Sequence, residues 1–426
     1  MNILVLAPQW PDPPRQGAAI RNFHILQHLA RRHTVTLLTF RPEGEIEEAR
    51  IKSLCLRAEA LPLPTRSTAE RLKTLMASPL PDMAWRLHSK PMRERVVELC
   101  RQDHFDAIHV EGIEMAPYGL LAQQIQNQKS KHKRPAFKIQ DLKSNIESSM
   151  VYDAHNAEYL LQRRAFTTDA MRADRLPKAA YSLAQWWRLR RFEREICLAS
   201  RHVLTVSEAD AAALRRLVPS IAGRITLLPN GVDPAYWSRD AAYPRSDMPA
   251  SDTLVFDGSM DFRPNVDAVT WFASQVWPLI RVERPGAQFF IVGRNPSPAV
   301  LSLRNAPGIT VTGEVDDPRG WVAGAKVYVV PMRMGGGVRL KVLQAMAMGC
   351  AIVSTPMGAE GIDVRHGREM LIHRSAPDFA RAILSLFADK ERRDNLGNAA
   401  RELAAARYSW EGLLPTLDRV YPISMA

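Results

Sequence analysis

Cysteine is scarce in this sequence, with four among 426 residues. No two of them form a C-x-x-C pair or follow zinc-ligand spacing, which argues against a cysteine-based metal or thiol-exchange site. We expect all of them to be buried thiols in a reducing, cytoplasmic compartment. They are Cys55, Cys100, Cys197 and Cys350.

Long apolar runs are also lacking. No stretch reaches the roughly 18 consecutive apolar residues that a membrane-spanning helix needs. The sequence passes from Met1 directly into an apolar segment, ILVLA, without the charged region and cleavage site of a secretory leader. We therefore expect neither a membrane span nor a signal peptide.

Positive charge, in contrast, is abundant. The chain has 57 Lys and Arg against 45 Asp and Glu, a formal charge of +12. Such a surplus suits nucleic acid, an anionic membrane or small anionic substrates. The sequence shows no helix-turn-helix, zinc or RNA-binding signature, so we expect no nucleic-acid partner. A nucleic-acid-binding protein stays open as an alternative, and binding to nucleic acid that is lost with salt would favour it.

A strand–loop–helix–strand–loop pattern between residues 325 and 362 organises the chain. An apolar strand, Val327–Pro331, is followed by three glycines and then by a segment with helical spacing that ends at Gly349. A second apolar strand, Ala351–Thr355, leads into a second glycine-bearing turn, 358–361. Both loops follow the carboxyl ends of strands, where open α/β sheets bind ligands.

The first of these loops has the chemistry of a phosphate site. Glycines let the backbone approach an anion, and the free N–H groups at a helix start are donors for it. We place Arg339 and Lys341 in the first turn of this helix, where a cation opposes the helix dipole unless an anion is bound. The alternative is a glycine-rich turn with two solvated basic side chains.

The first half of the chain has the pattern of a parallel sheet. A strand at Asn2–Ala7, a loop ending at Gly17, a helix at 18–32 and a strand at 34–40 form a βαβ unit. Another strand, Met150–Ala154, ends at the polar sequence His-Asn-Ala-Glu, residues 155–158. Polar residues at a strand's carboxyl end are candidate site residues. Because imidazole titrates near neutral pH, His155 is a candidate to bond a substrate or move a proton.

Three further segments carry charge or mark a boundary. Residues 123–149 are polar and basic, which predicts an exposed insertion. The predicted helix 179–200 carries Trp186 and Trp187 among arginines. It is either an anchor at a lipid interface or, as we favour, a packed helix with one exposed basic face. Residues 240–252, rich in Pro, Ser and Asp, predict an interdomain linker.

The run GGGVRLKVLQAMAMGCAIVSTPMGAEGI, residues 335–362, resembles the donor-site block of glycosyltransferase family 4. The likeness is closest to a bacterial subgroup associated with exopolysaccharide and PEP-CTERM sorting loci. The segments HNAE, VSEAD and PNGVD also resemble this family. The resemblance implies an α/β protein of the GT-B class, with two Rossmann-like domains facing each other across a cleft. It places an acceptor-side domain at 1–235, joined by a tail helix at 408–426, and a donor-binding domain at 252–407.

The same resemblance implies a hexosyltransferase that moves a sugar from a nucleotide-diphosphate donor, UDP- or GDP-linked, to a glycan or lipid-linked acceptor. It implies a retaining reaction without metal or cofactor, and no Asp-x-Asp triplet lies at a loop where a cation would hold the diphosphate. With the basic surplus, it predicts a cytoplasmic protein attached peripherally to an anionic inner membrane face. The implied catalytic residues are His155, Arg339 and Lys341, and the substrate contacts are Asn156 and Glu158, the latter bracing the following helix. The implied donor contacts are Gly17, Gly258, Arg263, Gly336, Gly337, Val338, Gln344, Gly358 and Glu360.

The sequence departs from the family pattern at two positions. Gln344 stands where the family usually has Glu, and Gly336 stands at the position of a second Glu eight residues earlier. These changes motivate an alternative, a GT-B scaffold that binds nucleotide sugar or partners without turnover. Donor hydrolysis or transfer, as opposed to nucleotide binding alone, would separate the two hypotheses.

Overall fold

The computed structural model describes two compact units within residues 1–14, 17–41, 48–132, 149–170, 176–244, 246–249 and 251–422. The first unit runs from Met1 to Leu228 and also takes in the chain from Leu414. The second runs from Pro229 to Leu413. Each unit has a parallel β-sheet covered by helices and its own apolar core.

The first unit is built on a seven-stranded sheet with the order β3-β2-β1-β4-β5-β6-β7. Its strands are short and largely buried, as expected when helices cover both faces of a parallel sheet. The strands are β1 (Asn2–Ala7), β2 (Thr34–Arg41), β3 (Arg57–Pro62), β4 (Ala107–Glu111), β5 (Met150–Ala154), β6 (His202–Thr205) and β7 (Ile225–Leu227). The helices are α1 (Gly17–Ala30), α2 (Ala49–Leu54), α3 (Thr68–Ala77), α4 (Asp82–Arg86), α5 (Lys90–Gln102), α6 (Ala116–His132), α7 (Glu158–Ala170), α8 (Leu176–Ala199) and α9 (Glu208–Leu217).

The second unit is built on a six-stranded sheet with the order β10-β9-β8-β11-β12-β13. Its strands are β8 (Thr253–Asp257), β9 (Gln288–Val292), β10 (Ile309–Gly313), β11 (Val327–Val330), β12 (Ile352–Ser354) and β13 (Leu371–Ile372). Its helices are α10 (Arg263–Trp271), α11 (Trp277–Glu283), α12 (Pro298–Leu301), α13 (Arg319–Gly324), α14 (Leu340–Ala347), α15 (Ala376–Ala388), α16 (Lys390–Tyr408) and α17 (Trp410–Leu413). A π-helical turn at Phe272–Val276 joins α10 to α11.

Each sheet has one point where its strand order reverses. In the first unit the reversal lies between β1 and β4, and in the second it lies between β8 and β11. Ligands of open α/β sheets bind outside the carboxyl ends of strands at such a point. We therefore expect functional residues in or beside the polar loops that follow β4 and β8.

The predicted basic insertion at 123–149 is wrong over its first ten residues, because α6 continues to His132. Gln126 is buried, and its amide nitrogen donates to the carbonyl oxygens of Cys100 at 3.2 Å and Asp103 at 3.1 Å. A polar residue of α6 thus bonds the backbone at the end of α5. Because such polar residues are also common in loops, the sequence pattern suggested a loop here. Residues 133–148 lie outside the described chain.

Helix α8 has the packed form that the sequence favoured, with one exposed basic face. Leu189, Phe192 and Ile196 are buried, whereas Trp187 is 60% exposed and Arg190 is also exposed. Within the described ranges, no helix combines the length and apolarity needed to cross a membrane. The cysteines are free, and they are buried as expected except for the half-buried Cys55.

The stretch predicted as a linker, 240–252, lies within the second unit. Ser246 donates to the carbonyl of Gly320 at 3.0 Å, and Asp252 accepts from Lys326 at 2.9 Å. The division between the units therefore falls earlier than the composition suggested. The tail returns to the first unit only from Leu414, where Asp418 accepts from Arg32 at 2.9 Å.

Candidate functional site

The glycine-rich loop after β11 is shaped by two left-handed glycines. Gly335 has φ of 112° and Gly337 has φ of 73°, values that residues other than glycine rarely adopt. The backbone then becomes extended at Arg339, with φ of −89° and ψ of 113°, and α14 begins at the next residue. The prediction that Arg339 lies in the first helical turn is therefore wrong. It precedes the helix, and Lys341 is the basic residue within the first turn.

Lys341 reaches from α14 to the carboxyl end of β8. Its ammonium donates to the carbonyl oxygen of Asp257 and, at 3.1 Å, to Oδ1 of Asn265. Nζ also lies 4.0 Å from the centre of the Phe256 ring. Burial lowers the pKa of Lys341 to about 8, against the opposing attraction of Asp257. This lysine is therefore a partly desolvated cation at the switch point of the second sheet.

Gly258 leaves the room that this lysine occupies. A Cβ at Gly258 would lie 2.6 Å from Nζ of Lys341 and 2.8 Å from Nδ2 of Asn265. Its φ of 146° also favours glycine. The predicted donor residue Gly258 thus has a direct physical role in placing the lysine head.

The other predicted donor residues occupy different surroundings. Gly358 is buried, its N–H donates to Oγ1 of Thr355 at 3.0 Å, and a Cβ would come within 2.7 Å of the carbonyl oxygen of Val330. Glycine is required at position 358 because the backbone packs closely against Val330 and Ser354. Val338 is buried and its carbonyl accepts from Asn230 at 3.2 Å. Gly17 begins α1, Arg263 is exposed at the start of α10, Gln344 is half-buried within α14, and Gly336 and Glu360 are half-buried in loops.

In the first unit, His155 follows β5 and meets a carboxylate at the end of β4. Nε2 of His155 lies 3.0 Å from Oε2 of Glu111, and His155 is a quarter exposed while Glu111 is fully buried. Nε2 of His109, on the same strand as Glu111, lies 2.8 Å from Oε1. The amide of Asn22, oriented with its nitrogen toward Glu111, donates to Oε2 at 2.9 Å. Glu111 therefore accepts from three sides.

A buried arginine lies beside this cluster. Arg21 on α1 donates through Nε and Nη2 to both oxygens of Asp153, at 2.7 and 2.8 Å. Its Nη1 donates to the carbonyl of Leu228 at 2.9 Å. Both side chains are almost fully buried. A two-pronged arginine–carboxylate contact is the geometry that best offsets the free-energy cost of removing these two charges from water.

Sequence reasoning missed Arg21, His109, Glu111, Asp153 and Tyr421 as site residues. A signal for the first was present, since Arg21 lies one turn before Ile25 on the buried face of an amphipathic helix. A cation there requires a buried anion. Asp153 and Glu111 each stand at or next to the last residue of an apolar strand, which is where such an anion would lie.

The charges in this cluster shift one another. Burial alone would raise the pKa of Glu111. The interactions with His109 and His155 lower it by more, so the pKa of Glu111 lies below its ordinary range. Burial lowers the pKa of His155, but the hydrogen bond to Glu111 and the charge of Asp153 raise it above its ordinary value overall. The arrangement favours a carboxylate beside an imidazole that readily takes up a proton.

The start of α7 is capped by acidic residues from elsewhere. Glu193 accepts from the N–H groups of Glu158 at 2.9 Å and Tyr159 at 2.6 Å, and Asp210 accepts from the N–H of Ala157 at 2.9 Å. Glu158 lies in the first turn of α7, the position predicted for an acidic residue that braces this helix, while the capping oxygens belong to Glu193 and Asp210. The carboxylate of Glu158 accepts from Asn156 at 3.0 Å, and burial raises the pKa of Glu158.

Three side chains approach one another as metal ligands would. Atoms of His109, Glu111 and Asp153 lie within 4.8 Å of each other. Both oxygens of Asp153, however, already accept from Arg21, and His109 lies between Glu111 and Tyr421. Because the guanidinium already supplies the positive charge, we interpret the group as a buried hydrogen-bond network.

Two family models together match most of the chain. Residues 16–231 match the glycosyl transferase 4-like domain, and residues 251–389 match glycosyl transferases group 1. The chain therefore belongs to the glycosyl transferase 4-like family, a family of transferases, as the sequence resemblance indicated.

Curated relatives match over shorter segments. A stretch of 140 residues is 27% identical to an uncharacterized 44.6 kDa protein in the cps region of Klebsiella pneumoniae, covering 31% of this chain and 36% of the relative. A stretch of 157 residues is 30% identical to a GDP-mannose-dependent α-(1-6)-phosphatidylinositol monomannoside mannosyltransferase of Mycobacterium tuberculosis, covering 33% of this chain and 40% of the relative. The chain thus matches less than half the length of these relatives.

The fold as a whole has solved counterparts. The sucrose-phosphate synthase of Thermosynechococcus elongatus superposes with a TM-score of 0.65 over 99% of this chain and 98% of its own, at 19% identity. Identity this low speaks for the fold alone. Together with the two parallel-sheet α/β domains, it confirms the GT-B class predicted from the sequence.

Proposed function

We propose that this protein transfers a sugar from a nucleoside-diphosphate donor to a glycan or lipid-linked acceptor. The reaction retains the anomeric configuration, needs no metal, and serves cell-surface or exopolysaccharide synthesis at the cytoplasmic side of the membrane. The observation that carries the proposal is the placement of Lys341, at a helix start behind a glycine loop and at the switch point of the second sheet. Membership of a transferase family supports it.

In this proposal the second unit holds the donor's diphosphate. The ammonium of Lys341, the guanidinium of Arg339 and the positive end of the α14 dipole supply positive charge where the leaving diphosphate develops negative charge. Gly336 and Gly337 let the backbone approach the phosphates. The departing diphosphate takes the acceptor's proton. His155 is proposed to bond a sugar hydroxyl or to assist proton transfer.

Gln344 lies one turn beyond Lys341 on α14 and is proposed to contact the donor ribose. A carboxylate offers two acceptor oxygens to a pair of hydroxyls, whereas an amide offers one and must place its NH2 elsewhere. We therefore propose a working enzyme with reduced donor affinity. The non-catalytic scaffold is the second candidate, and the Gly336 and Gln344 departures are the observations that favour it.

A thermal-shift screen against UDP, GDP, ADP and CMP tests donor binding, because a ligand that binds only the native state raises Tm. Assays of sugar release and of transfer with the matching nucleotide sugars then test turnover. Binding with turnover supports the proposal, and binding without turnover in all donor–acceptor pairs supports the scaffold. No shift with any nucleotide would contradict the transferase and would leave only a scaffold that binds partners.

We also propose peripheral attachment to anionic membranes through α8. Trp187 is 60% exposed on this helix, with Arg190, Arg191 and Arg194 exposed on the same side. Arg188 donates to the carbonyl of Leu75 at 2.7 Å and so ties α8 to α3. Helix α3 has no buried residue and presents further exposed apolar side chains, Leu72 at 58% and Met76 at 80%. Aromatic and aliphatic groups among arginines suit the interface of an anionic bilayer.

A further inference from the structure

A line of four side chains joins the tail to His155 within the first unit. The hydroxyl of Tyr421 lies 2.6 Å from Nδ1 of His109, and Nε2 of His109 lies 2.8 Å from Oε1 of Glu111. The other oxygen of Glu111 lies 3.0 Å from Nε2 of His155. Tyr421, His109 and Glu111 are at most 1% exposed, so the line reaches solvent at its His155 end.

The direction of these bonds follows from the chemistry of the groups. Burial raises the pKa of Tyr421 well above its ordinary value, so its hydroxyl keeps its proton and donates to Nδ1 of His109. His109 then carries its own proton on Nε2 and donates it to Glu111. With Oε1 engaged in this way, Oε2 of Glu111 accepts from Nε2–H of His155. Nδ1 is therefore the nitrogen of His155 that gains and loses a proton.

We propose that Glu111 is a positioning residue for the transfer reaction, which fixes the orientation and the protonated nitrogen of His155 and is itself held by His109 and the tail residue Tyr421. The inference rests on the proposed function, because it assigns His155 to the reaction. A residue that orients a reacting imidazole acts as the carboxylates behind metal-bound histidines do, by fixing tautomer and ring angle. The network is buried and fully bonded, so the loss of one member disturbs its neighbours.

Other charged groups also face His155, and they belong to several elements. The charge of Asp153 raises the pKa of His155, and that of Arg21 lowers it. His155 in turn partly opposes the rise that burial causes in the pKa of Glu158. Gly112 separates the ring from Glu114, since a Cβ there would lie 3.7 Å from Nδ1 of His155 and 3.3 Å from Oε2 of Glu114. Among all of these, Glu111 makes the direct hydrogen bond, so it is the group to change.

The test compares three variants of the full chain. Glu111→Gln keeps the shape and removes the charge. Tyr421→Phe removes the hydroxyl at the far end of the line. Tyr118→Phe is the matched control, since Tyr118 is a buried tyrosine of the same unit whose hydroxyl bonds only the backbone of Leu87 and Ser89.

The first readout is a pH titration of ¹⁵N-histidine-labelled protein by NMR, with His155 and His109 assigned through His→Gln variants. Glu111→Gln should lower the titration midpoint of His155 by about one pH unit or more, because an opposite charge in direct contact is lost. Tyr421→Phe should change the nitrogen shifts of His109 and move the His155 midpoint by a smaller amount. Tyr118→Phe should change neither.

The second readout is the pH profile of kcat/KM for transfer. In Glu111→Gln, the limb that follows His155 should move to lower pH by the amount seen in the titration, with the donor KM retained. An unmoved His155 midpoint in Glu111→Gln, or an unmoved limb, overturns the proposal. Equal behaviour of Tyr421→Phe and Tyr118→Phe overturns the part assigned to the tail.

The two levels of inference fail in different ways. If the unaltered protein transfers no sugar, the proposed function fails, while the titration still decides whether Glu111 controls His155. If Glu111→Gln does not fold, Tyr421→Phe against Tyr118→Phe still decides whether the line of side chains reaches His155.

Discussion

Removal of the ammonium of Lys341 should weaken diphosphate binding far more than nucleoside binding. Lys341→Met keeps most of the aliphatic stem over the Phe256 ring but removes the charge at the end of β8. The loss of one hydrogen bond to a charged group costs about 1.5–3 kcal/mol. At 1.4 kcal/mol per decade, the Kd for UDP, or for the diphosphate that binds, should rise roughly 10- to 150-fold.

Titration calorimetry of UDP and uridine against each variant measures this difference. Uridine lacks the diphosphate, so its Kd should stay within about twofold. Lys326→Met is the matched control, since Lys326 forms an ion pair with Asp252 at 2.9 Å in the same unit. Gly258→Ala should reproduce part of the loss with the lysine intact, because a Cβ there would lie 2.6 Å from Nζ.

The same lysine predicts a pH dependence. Because burial lowers the pKa of Lys341 to about 8, the ammonium is mostly present at pH 7 and mostly lost near pH 9. A bound diphosphate favours the charged form, so affinity is complete below this pKa and falls as the pH rises through it. The Kd for UDP should rise up to about tenfold from pH 7 to 9 in the native protein and stay level in Lys341→Met.

Two results would refute this reasoning. An equal loss of UDP and uridine affinity in Lys341→Met would mean that the lysine shapes the site without touching phosphate. A flat pH dependence in the native protein, with binding retained at pH 9, would mean that the ammonium at this place does not carry the interaction.

Three further predictions concern other parts of the molecule. Gln344→Glu should lower the donor KM by several-fold with little change in kcat, since a charged acceptor is worth on the order of 1 kcal/mol more to the ribose; weaker donor binding would remove Gln344 from the ribose. Trp187→Ala combined with Arg190→Ala should reduce co-flotation with anionic liposomes at low salt, and no flotation of the native protein would refute the membrane proposal. Asp153→Asn should lower the free energy of unfolding by about 3–5 kcal/mol in urea, because it leaves the buried Arg21 guanidinium without its carboxylate; a loss below about 1 kcal/mol would contradict that account.

The fold was predictable because its signals are local. Short apolar strands, glycine turns and helical spacing predicted the positions of β1, β2, β5, β11 and β12 to within about one residue, and the carboxyl-end rule led to the loops that carry Lys341 and His155. A buried parallel sheet imposes this pattern on its own sequence, so a single chain is enough to show it.

The missing part of the site depends on distant pairs. Arg21 meets Asp153 across 132 residues, and His109 meets Tyr421 across 312. Helical spacing can show that Arg21 is buried, but no local pattern shows which distant carboxylate pairs with it until the fold brings the partners together. The capping residues of α7 were missed for the same reason, since they come from α8 and α9.

The return of the tail to the first unit has a consequence for the order in which the protein is made. Residues 414–421 leave the ribosome only after the whole second unit, yet Tyr421 supplies the partner of His109 and Asp418 the partner of Arg32. The first unit is thus synthesised before Tyr421, so Nδ1 of the buried His109 at first lacks the hydroxyl that donates to it in the full chain. A fragment ending at Leu228 should therefore be less stable than the same unit within the full chain, and synthesis of the last segment completes the interior of the domain that was made first.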